Sequence, residues 1–189
     1  MIITISGTPG SGKSTVAKLL AEKLSAKRID VGSIRRKLAR KKKMTLEGLN
    51  QYAKTNPETD VNVDQKVAKE ARKLAGQGKV VIVGGLPQFH FLPESVKIFI
   101  KADLKEAARR IWQDLQQKKT RTARNDGNYS SLKQMKERVL ARIKEDNERY
   151  MKYYGIDHLD QSNYDLILNT THITAEQAAK LILNKLRTK

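Results

Sequence analysis

The feature that constrains this chain most is the run GTPGSGKS at residues 7–14, which fits the pattern G-x-x-x-x-G-K-S/T. It follows a β-branched run at residues 2–5 and opens a segment with helical spacing that continues to about residue 25. Glycines allow successive backbone N–H groups to converge on phosphate oxygens, and the N-terminus of the following helix adds partial positive charge. In this context the pattern predicts a strand, a phosphate-binding loop and a helix.

The residue types in this loop predict a nucleoside triphosphate site. Lys13 is expected to reach the β- and γ-phosphates, and the Ser14 hydroxyl is expected to coordinate Mg²⁺. The predicted nucleotide-binding residues of the loop are Gly7, Thr8, Pro9, Gly10, Ser11, Gly12, Lys13, Ser14 and Thr15. The alternative, a glycine-rich turn with a solvated lysine, is disfavoured because the strand and the helix stand where the motif requires them.

Strands and helices are predicted to alternate along the whole chain. The predicted strands are residues 2–5, 28–31, 80–83, 96–100 and 165–169, and helical spacing covers residues 13–25, 33–43, 44–54, 57–76, 103–117, 130–155 and the C-terminus from residue 174. A β-α unit repeated five times predicts a doubly wound parallel sheet with helices on both faces. The predicted fold class is therefore α/β, a P-loop NTPase with a five-stranded parallel sheet.

Several predicted helix ends carry capping signals. They are Asn56 before Pro57, the capping boxes Asp103 with Glu106 and Thr174 with Gln177, the start at Ser130 or Ser131, and the end at Gly155. Each supplies a side-chain oxygen for orphan N–H groups at a helix start, or a glycine for the left-handed turn at a helix end.

Composition excludes several classes of protein. The 189 residues include no cysteine, which excludes disulfide frameworks, cysteine-based zinc sites and thiol catalysis. No apolar run approaches the roughly 18 residues of a membrane span, and the start MIITIS has no basic leader segment. We expect one compact, monomeric, soluble domain in the cytoplasm with no membrane partner.

Three further segments, together with the phosphate loop, resemble the nucleoside monophosphate kinases and specifically the archaeal type of cytidylate kinase. They are the V-G-x-I-x-R stretch at residues 31–36, YGID at 154–157 and YDLILNTT at 164–171. The resemblance runs nearly end to end. It implies transfer of the γ-phosphoryl group of ATP, with Mg²⁺, to the 5′-phosphate of CMP, and of UMP or dCMP as further acceptors.

The resemblance also implies a division of the domain and a set of acceptor-binding residues. The core would comprise residues 1–32, 78–117 and 155–189, with an acceptor (NMP) segment at 33–77 and a lid at 118–154, which contains the polar stretch 118–129. The implied acceptor-binding residues are Asp30, Arg36, Asp64, Gly85 and Arg110. Arg36 would hold the acceptor phosphate and Asp64 would read its base. Plain solvation of either side chain is the alternative.

On the donor and lid side, the resemblance implies catalytic arginines. Arg142 and Arg149 match the family's lid arginines, which would neutralise charge on the transferred phosphoryl group. With Arg138 and Lys13 they form the predicted catalytic set, and Asn169 would border the donor adenine at the end of the last strand. The alternative is a solvated helix whose arginines pair with nearby acids, since surface ion pairs contribute only about 0–1 kcal/mol.

The chain departs from the family pattern after the third predicted strand. Relatives carry an acid and an arginine there in an E/D-G-R pattern, whereas this chain reads VIVGGLPQ at residues 81–88. A second departure is Arg35, which stands where bacterial cytidylate kinases have a tyrosine in the segment D-S/T-G-x-x-Y-R. We hypothesise that Asp30 replaces the missing acid and supports Mg²⁺ through water.

The net charge of +18 is concentrated in two segments. Residues 35–43 hold seven basic side chains and no acid, and residues 105–149 hold thirteen basic and seven acidic ones, so they carry +13 of the total. These segments would flank the acceptor and form the lid, where they would steer anions inward. Two alternatives stay open: an adenylate kinase or broader nucleotide kinase, and a catalytically weakened ATP-binding protein with an RNA or ribosomal partner.

Overall fold

The computed structural model of this protein describes residues 1–117, 120, 122, 124, 125, 127 and 129–187. Five parallel strands form one sheet in the order β2-β3-β1-β4-β5. The strands are β1 Ile2–Gly7, β2 Lys27–Asp30, β3 Val81–Gly84, β4 Val96–Lys101 and β5 Leu166–Asn169. This arrangement confirms the predicted fold class.

Helices connect the strands and cover both faces of the sheet. We number them α1 Lys13–Lys23, α2 Val31–Lys41, α3 Leu46–Ala53, α4 Glu58–Gly76, α5 Gln88–Phe91, α6 Leu104–Gln116, α7 Leu132–Tyr154 and α8 Ala175–Arg187. A 3₁₀ turn at Gln161–Asn163 and the short helix α5 were not predicted by the periodicity of the sequence. Among the described residues, none of the helices combines the length and apolarity that crossing a membrane requires.

The central strand β1 organises the core. All six of its residues are buried, and Ile3 lies opposite Ile82 of β3 and Val96 of β4. Because successive strand residues face opposite sides, Ile3 and Ile5 pack against α1 and α8, whereas Ile2 packs against α4. Burial on both faces explains why the strands read as continuous apolar runs.

The carboxyl ends of the strands meet at one edge of the sheet. Gly7 ends β1, Asp30 ends β2, Gly84 ends β3 and Asn169 ends β5. Ligands of open α/β sheets bind outside this edge. The connections that leave it are the phosphate loop and helices α2 and α5.

Three of the five predicted helix caps are present and two are wrong. Thr174 and Gln177 bond reciprocally, and Ser131 caps α7, which ends at Gly155 with φ 66°. Asn56 instead donates to the Tyr52 carbonyl, and α4 is capped by Pro57 without a side-chain bond. Asp103 precedes α6 but makes no side-chain cap bond. Its amide donates to the Thr171 hydroxyl at 2.9 Å, and the Glu106 carboxylate pairs with Arg109 and Arg110.

Part of the predicted lid loop, residues 118, 119, 121, 123, 126 and 128, lies outside the described residues. The described residues of that loop contact the connection between α2 and α3. The Asn125 carbonyl accepts from the Leu46 amide at 2.8 Å, and the Asn125 side chain donates to the Met44 carbonyl at 3.1 Å. Tyr129 donates to Glu47 at 2.9 Å. The described residues of 118–129 therefore contact residues 44–47.

Replacing Thr174 by alanine should lower the free energy of unfolding by about 1 kcal/mol, because the amide of Gln177 loses its capping oxygen. Thr174→Ser keeps the hydroxyl and should stay within about 0.5 kcal/mol of the wild type. Urea unfolding followed by circular dichroism measures both. Equal losses in the two variants would contradict a stabilising role for the cap.

Candidate active site

A cleft of about 450 Å³ opens at the carboxyl edge of the sheet, between the phosphate loop, α2, the β3–α5 connection, α6 and α7. Among the described residues, its basic lining consists of Lys13, Arg28, Arg35, Arg36, Arg110, Arg124, Arg142 and Arg149. Its acidic lining consists of Asp30, Asp114 and Asp146. Eight cations against three carboxylates make this a site for an anionic ligand.

The phosphate loop has the backbone that its glycines predict. Gly10 and Gly12 adopt φ values of 76° and 85°, in the left-handed region. A Cβ on Gly7, whose φ is 140°, would lie 1.8 Å from the Ile100 carbonyl oxygen. Side chains larger than hydrogen are excluded there, so the loop keeps its close approach to β4. Helix α1 then begins at Lys13, with its N-terminus in the cleft.

Lys13 is the most perturbed cation of the cleft. Its ammonium group donates to the Thr8 carbonyl at 2.7 Å. Burial, with a smaller effect of the nearby Arg142 cation, lowers the pKa of Lys13 from its usual 10.5 to about 7. The local environment therefore disfavours the protonated form of Lys13, and phosphate oxygens beside the ammonium group would stabilise that form.

Behind the phosphate loop, three arginines share two carboxylates in one cluster. Arg149, 3% exposed, donates through Nε to Asp60 and through Nη2 to Asp146, each at 2.7 Å. Asp60 also pairs with Arg35, and Asp146 lies 3.6 Å from the Nε of Arg142. We call these five residues the arginine–aspartate cluster. It joins α2, α4 and α7 along one wall of the cleft.

The cluster has spare hydrogen-bonding capacity. Nη1 of Arg149 is buried and has no hydrogen-bond partner among the described residues. Burial opposes ionisation of Asp146, but Arg149 and Arg142 outweigh that effect and hold its pKa below the usual range. Asp146 is thus charged, and the buried Nη1 of Arg149 remains as a donor for a ligand in the cleft.

Four of the five predicted acceptor residues line the cleft, and Asp30, Arg36 and Gly85 are three of them. Asp30 caps α2 by accepting from the Ser33 amide at 3.0 Å, and it pairs with Arg28. The Arg36 guanidinium lies over Gly32, with Nη1 3.3 Å from the position that a Cβ on Gly32 would occupy. Gly85 lies in the β3–α5 connection. These residues come from three separate segments, and the sheet edge brings them together.

Arg110 lines the cleft from α6. Its Nη2 donates to the Thr170 carbonyl at 2.7 Å, and the Thr170 hydroxyl donates to the carbonyl of Ser11 in the phosphate loop. Arg110 therefore lies beside the phosphate loop and the end of β5, and its role in binding the acceptor stays a prediction. Asn169 lies outside the cleft lining, and its Oδ1 accepts from the amide and the hydroxyl of Thr171.

Asp64 does not reach the cleft. It is buried on α4, where it accepts from the Gln88 amide and the Tyr154 hydroxyl, both at 2.8 Å. Burial raises its pKa to about 6, against the opposing hydrogen bond from Tyr154. Both oxygens are engaged by protein groups, so the position does not support the predicted role in reading the base. Asp64 instead ties α4 to α5 and to the end of α7.

Arg138 is also separated from the other predicted catalytic arginines. It pairs with Glu47 of α3 and Glu145 of α7, each at 3.0 Å, and does not line the cleft. Its spacing of four residues from Arg142 is correct, but the two side chains find different partners. Arg138 therefore links the lid segment to the acceptor segment and has no place in the cleft.

Four cleft or cluster residues were missed by sequence reasoning, namely Arg35, Asn50, Asp60 and Asp146. Asp146 stands four residues after Arg142 and three before Arg149, a spacing that places all three on one helix face. The same spacing is also typical of surface ion pairs on a solvated helix, so it does not by itself indicate a buried cluster. No local sequence pattern indicates a functional role for Asp60, because its partners Arg35 and Arg149 are 25 and 89 residues away.

Comparison with known proteins identifies the relatives of this chain. Residues 2–172 match the cytidylate kinase-like family. The cytidylate kinase of Archaeoglobus fulgidus is 37% identical over 189 residues, which cover 100% of this chain and 96% of that protein. The cytidylate kinase of Sulfolobus acidocaldarius is 37% identical over 187 residues, covering 97% of this chain and 92% of the relative. The resemblance identified in the sequence is confirmed.

Solved structures support the same fold. A protein from Eubacterium ventriosum, described as uncharacterized, superimposes with a TM-score of 0.69 at 18% identity, covering 100% of this chain and 99% of its own. The shikimate kinase of Acinetobacter baumannii, solved with shikimate, superimposes with a TM-score of 0.57 at 19% identity. The match covers 99% of this chain and 93% of the shikimate kinase. At these identities the comparison establishes the fold alone.

Binding of ATP should be accompanied by proton uptake just above neutral pH. Lys13 has a pKa of about 7 in the free protein, and adjacent phosphates raise that pKa. Above about pH 7 the neutral amine of Lys13 therefore takes up a proton when ATP binds. Well below about pH 7 the side chain is already protonated, and no proton is taken up. Isothermal titration at about pH 8, in buffers of different ionisation enthalpy, measures the uptake.

The matched control is Lys13→Arg, which keeps a cation in the phosphate loop. A guanidinium has a pKa above about 12 and is fully protonated at about pH 8, so this variant should take up no proton through residue 13. The same uptake in the wild type and in Lys13→Arg would contradict the assignment.

Proposed function

The chain belongs to the cytidylate kinase-like family, and from this membership we propose that it transfers the γ-phosphoryl group of ATP to CMP, with UMP and dCMP as further acceptors. The observation that carries the proposal is the cationic cleft, which joins the phosphate loop to α2 and α7. A phosphoryl transfer between two nucleotides concentrates several negative charges in one space, and it needs cations on both sides of the transferred group.

The donor half of the cleft fits ATP. The phosphate loop offers left-handed glycines and a helix N-terminus, and Lys13 stands at the start of that helix. Arg110, anchored on the Thr170 carbonyl, is proposed to contact the donor nucleotide beside the loop. Asn169 remains a proposed neighbour of the adenine through its backbone.

The cleft also offers oxygen ligands that suit Mg²⁺. The exposed hydroxyl of Ser14 and the carboxylate of Asp30 both line it. Among the described residues there is no cluster of three or more acidic or histidine side chains, and Mg²⁺ in nucleotide enzymes is held by one or two protein groups together with phosphates and water. When bound, the ion neutralises charge on the β- and γ-phosphates.

The proposed chemistry is a direct displacement. An oxygen of the acceptor phosphate forms a bond to the γ-phosphorus, while the bond from that phosphorus to the β–γ bridging oxygen breaks. Lys13 would hold the β- and γ-phosphates, and Arg36 would hold the acceptor phosphate. Arg142 and the free Nη1 of Arg149 would donate to equatorial oxygens as charge develops there.

We also propose that the segments at residues 33–77 and 118–154 close over the substrates as acceptor and lid segments. Contacts between Asn125 and the α2–α3 connection, and between Arg138 and Glu47, already join them. The basic surplus on both segments would steer anions into the cleft. The names of the curated relatives favour neither an adenylate kinase nor an RNA-binding switch.

Phosphoryl transfer from ATP should be fastest with CMP in a panel that also contains UMP, dCMP, AMP and GMP. A coupled assay of ADP formation with each acceptor measures the selectivity. Preference for AMP would overturn the proposed acceptor. Absence of transfer to every acceptor, together with salt-sensitive RNA binding, would favour the RNA-binding alternative instead.

Replacing Asp30 by asparagine should raise the Mg²⁺ concentration needed for half-maximal turnover and lower the maximal rate by about 10²-fold, because a charged group near the ion is lost. Asparagine still caps α2, so the helix start is preserved. The control is Asp160→Asn, which alters a similar capping carboxylate away from the cleft. An unchanged Mg²⁺ dependence in Asp30→Asn would rule out the hypothesis.

A further inference from the structure

The β3–α5 connection offers the cleft no cation. Gly85 and Leu86 of this connection line the cleft, together with Gly84 at the end of β3. A Cβ on Gly85 would lie 2.8 Å from Cγ2 of Val31 and 2.9 Å from Cγ of Gln88, so a side chain there would have to displace both. The Gly85 amide donates to the Ile5 carbonyl at 3.2 Å, and this wall has no guanidinium.

The facing wall holds a guanidinium that no part of the proposed reaction uses. Arg35 on α2 is 7% exposed and lines the cleft together with its neighbour Arg36. Its Nη2 donates to Asn50 of α3 at 2.9 Å, and its Nη1 pairs with Asp60 of α4. Contacts to two other helices hold the side chain in one orientation, which reduces the entropy lost when it binds a ligand.

The charge balance of the arginine–aspartate cluster favours an anion beside Arg35. Asp60 is shared between Arg35 and Arg149, and Asp146 is shared between Arg149 and Arg142. Asp60 therefore serves two guanidinium groups, those of Arg35 and Arg149, in a buried place where an uncompensated charge is costly. A guanidinium has five N–H donors, and Arg35 uses two of its nitrogens for protein contacts, so it can still bind a phosphate oxygen.

We propose that Arg35 is a second guanidinium for the acceptor phosphate, supplied from α2 in place of the β3–α5 connection, and that Asp60 and Asn50 position it. The proposal rests on the proposed function, since it names a further binding residue of the same site. Arg35 and Arg36 then approach the acceptor phosphate from neighbouring positions of one helix. Arg35→Gln removes the charge and keeps a polar side chain of similar reach.

The test measures the contribution of the acceptor phosphate to binding separately from that of the nucleoside. Isothermal titration gives dissociation constants for CMP, cytidine and ATP, and the ratio of the cytidine to the CMP constant measures the contribution of the phosphate. Arg35→Gln should lower this ratio by about 10- to 100-fold, as expected for the loss of a charge-assisted hydrogen bond, and should leave cytidine and ATP affinities unchanged. The control, Arg72→Gln, removes an exposed arginine that pairs with Glu94 and should leave all three constants unchanged.

Each other outcome has a distinct meaning. An unchanged ratio in Arg35→Gln overturns the proposal, and so does an equal weakening of all three ligands, which indicates a purely structural role. A wild-type protein that binds CMP no better than cytidine has no acceptor phosphate site, which overturns the proposed function itself. If Arg35→Gln does not fold, the double variant Arg35→Gln/Asp60→Asn removes both charges of the buried pair, and an unchanged ratio in that variant also overturns the proposal.

Discussion

The arrangement of the cleft depends on the buried bonds that Arg149 makes to Asp60 and Asp146. They fasten α7 to α4 across 89 residues of sequence, and Asp60 extends the connection to Arg35 on α2. A buried ion pair adds little net stability, but removal of one partner is costly because the other charge stays buried. The cluster therefore specifies geometry more than it adds stability, since it fixes where the wall of arginines stands relative to the phosphate loop.

In that geometry, burial and repulsion between cations disfavour positive charge in the cleft, and a bound phosphate would offset both effects. Lys13 has a pKa of about 7 because burial disfavours its charge and Arg142 repels it. Arg149 keeps one buried donor without a partner among the described residues. Groups that are fixed in place before the substrate arrives do not have to reorganise during the reaction, which is the main source of electrostatic catalysis in sites of this kind.

The local parts of the structure were predictable from the sequence, and the long-range parts were not. The phosphate loop, the five strands and the cap at Ser131 depend on neighbouring residues, so short patterns identify them. Asp64 and Arg138 do not line the cleft as expected, because each has a partner far along the chain, which for Arg138 is Glu47 of α3. Asp64 is engaged by Gln88 and Tyr154, 24 and 90 residues away. Helical spacing predicts which residues share a face, but it does not predict which other helix that face meets.

Arg35 illustrates how a binding site can keep its charge while its residues change. In the proposed reaction the acceptor phosphate requires cationic donors, and residues of α2 and of the β3–α5 connection line the same cleft. Gly85 is packed against Val31 and Gln88, which leaves the guanidinium to be delivered from the helix side. A large polar side chain at position 35 in turn needs buried partners, and Asp60 and Asn50 supply them. The exchange therefore involves at least four positions on three helices and one connection, which is why a motif confined to the β3–α5 connection cannot detect it.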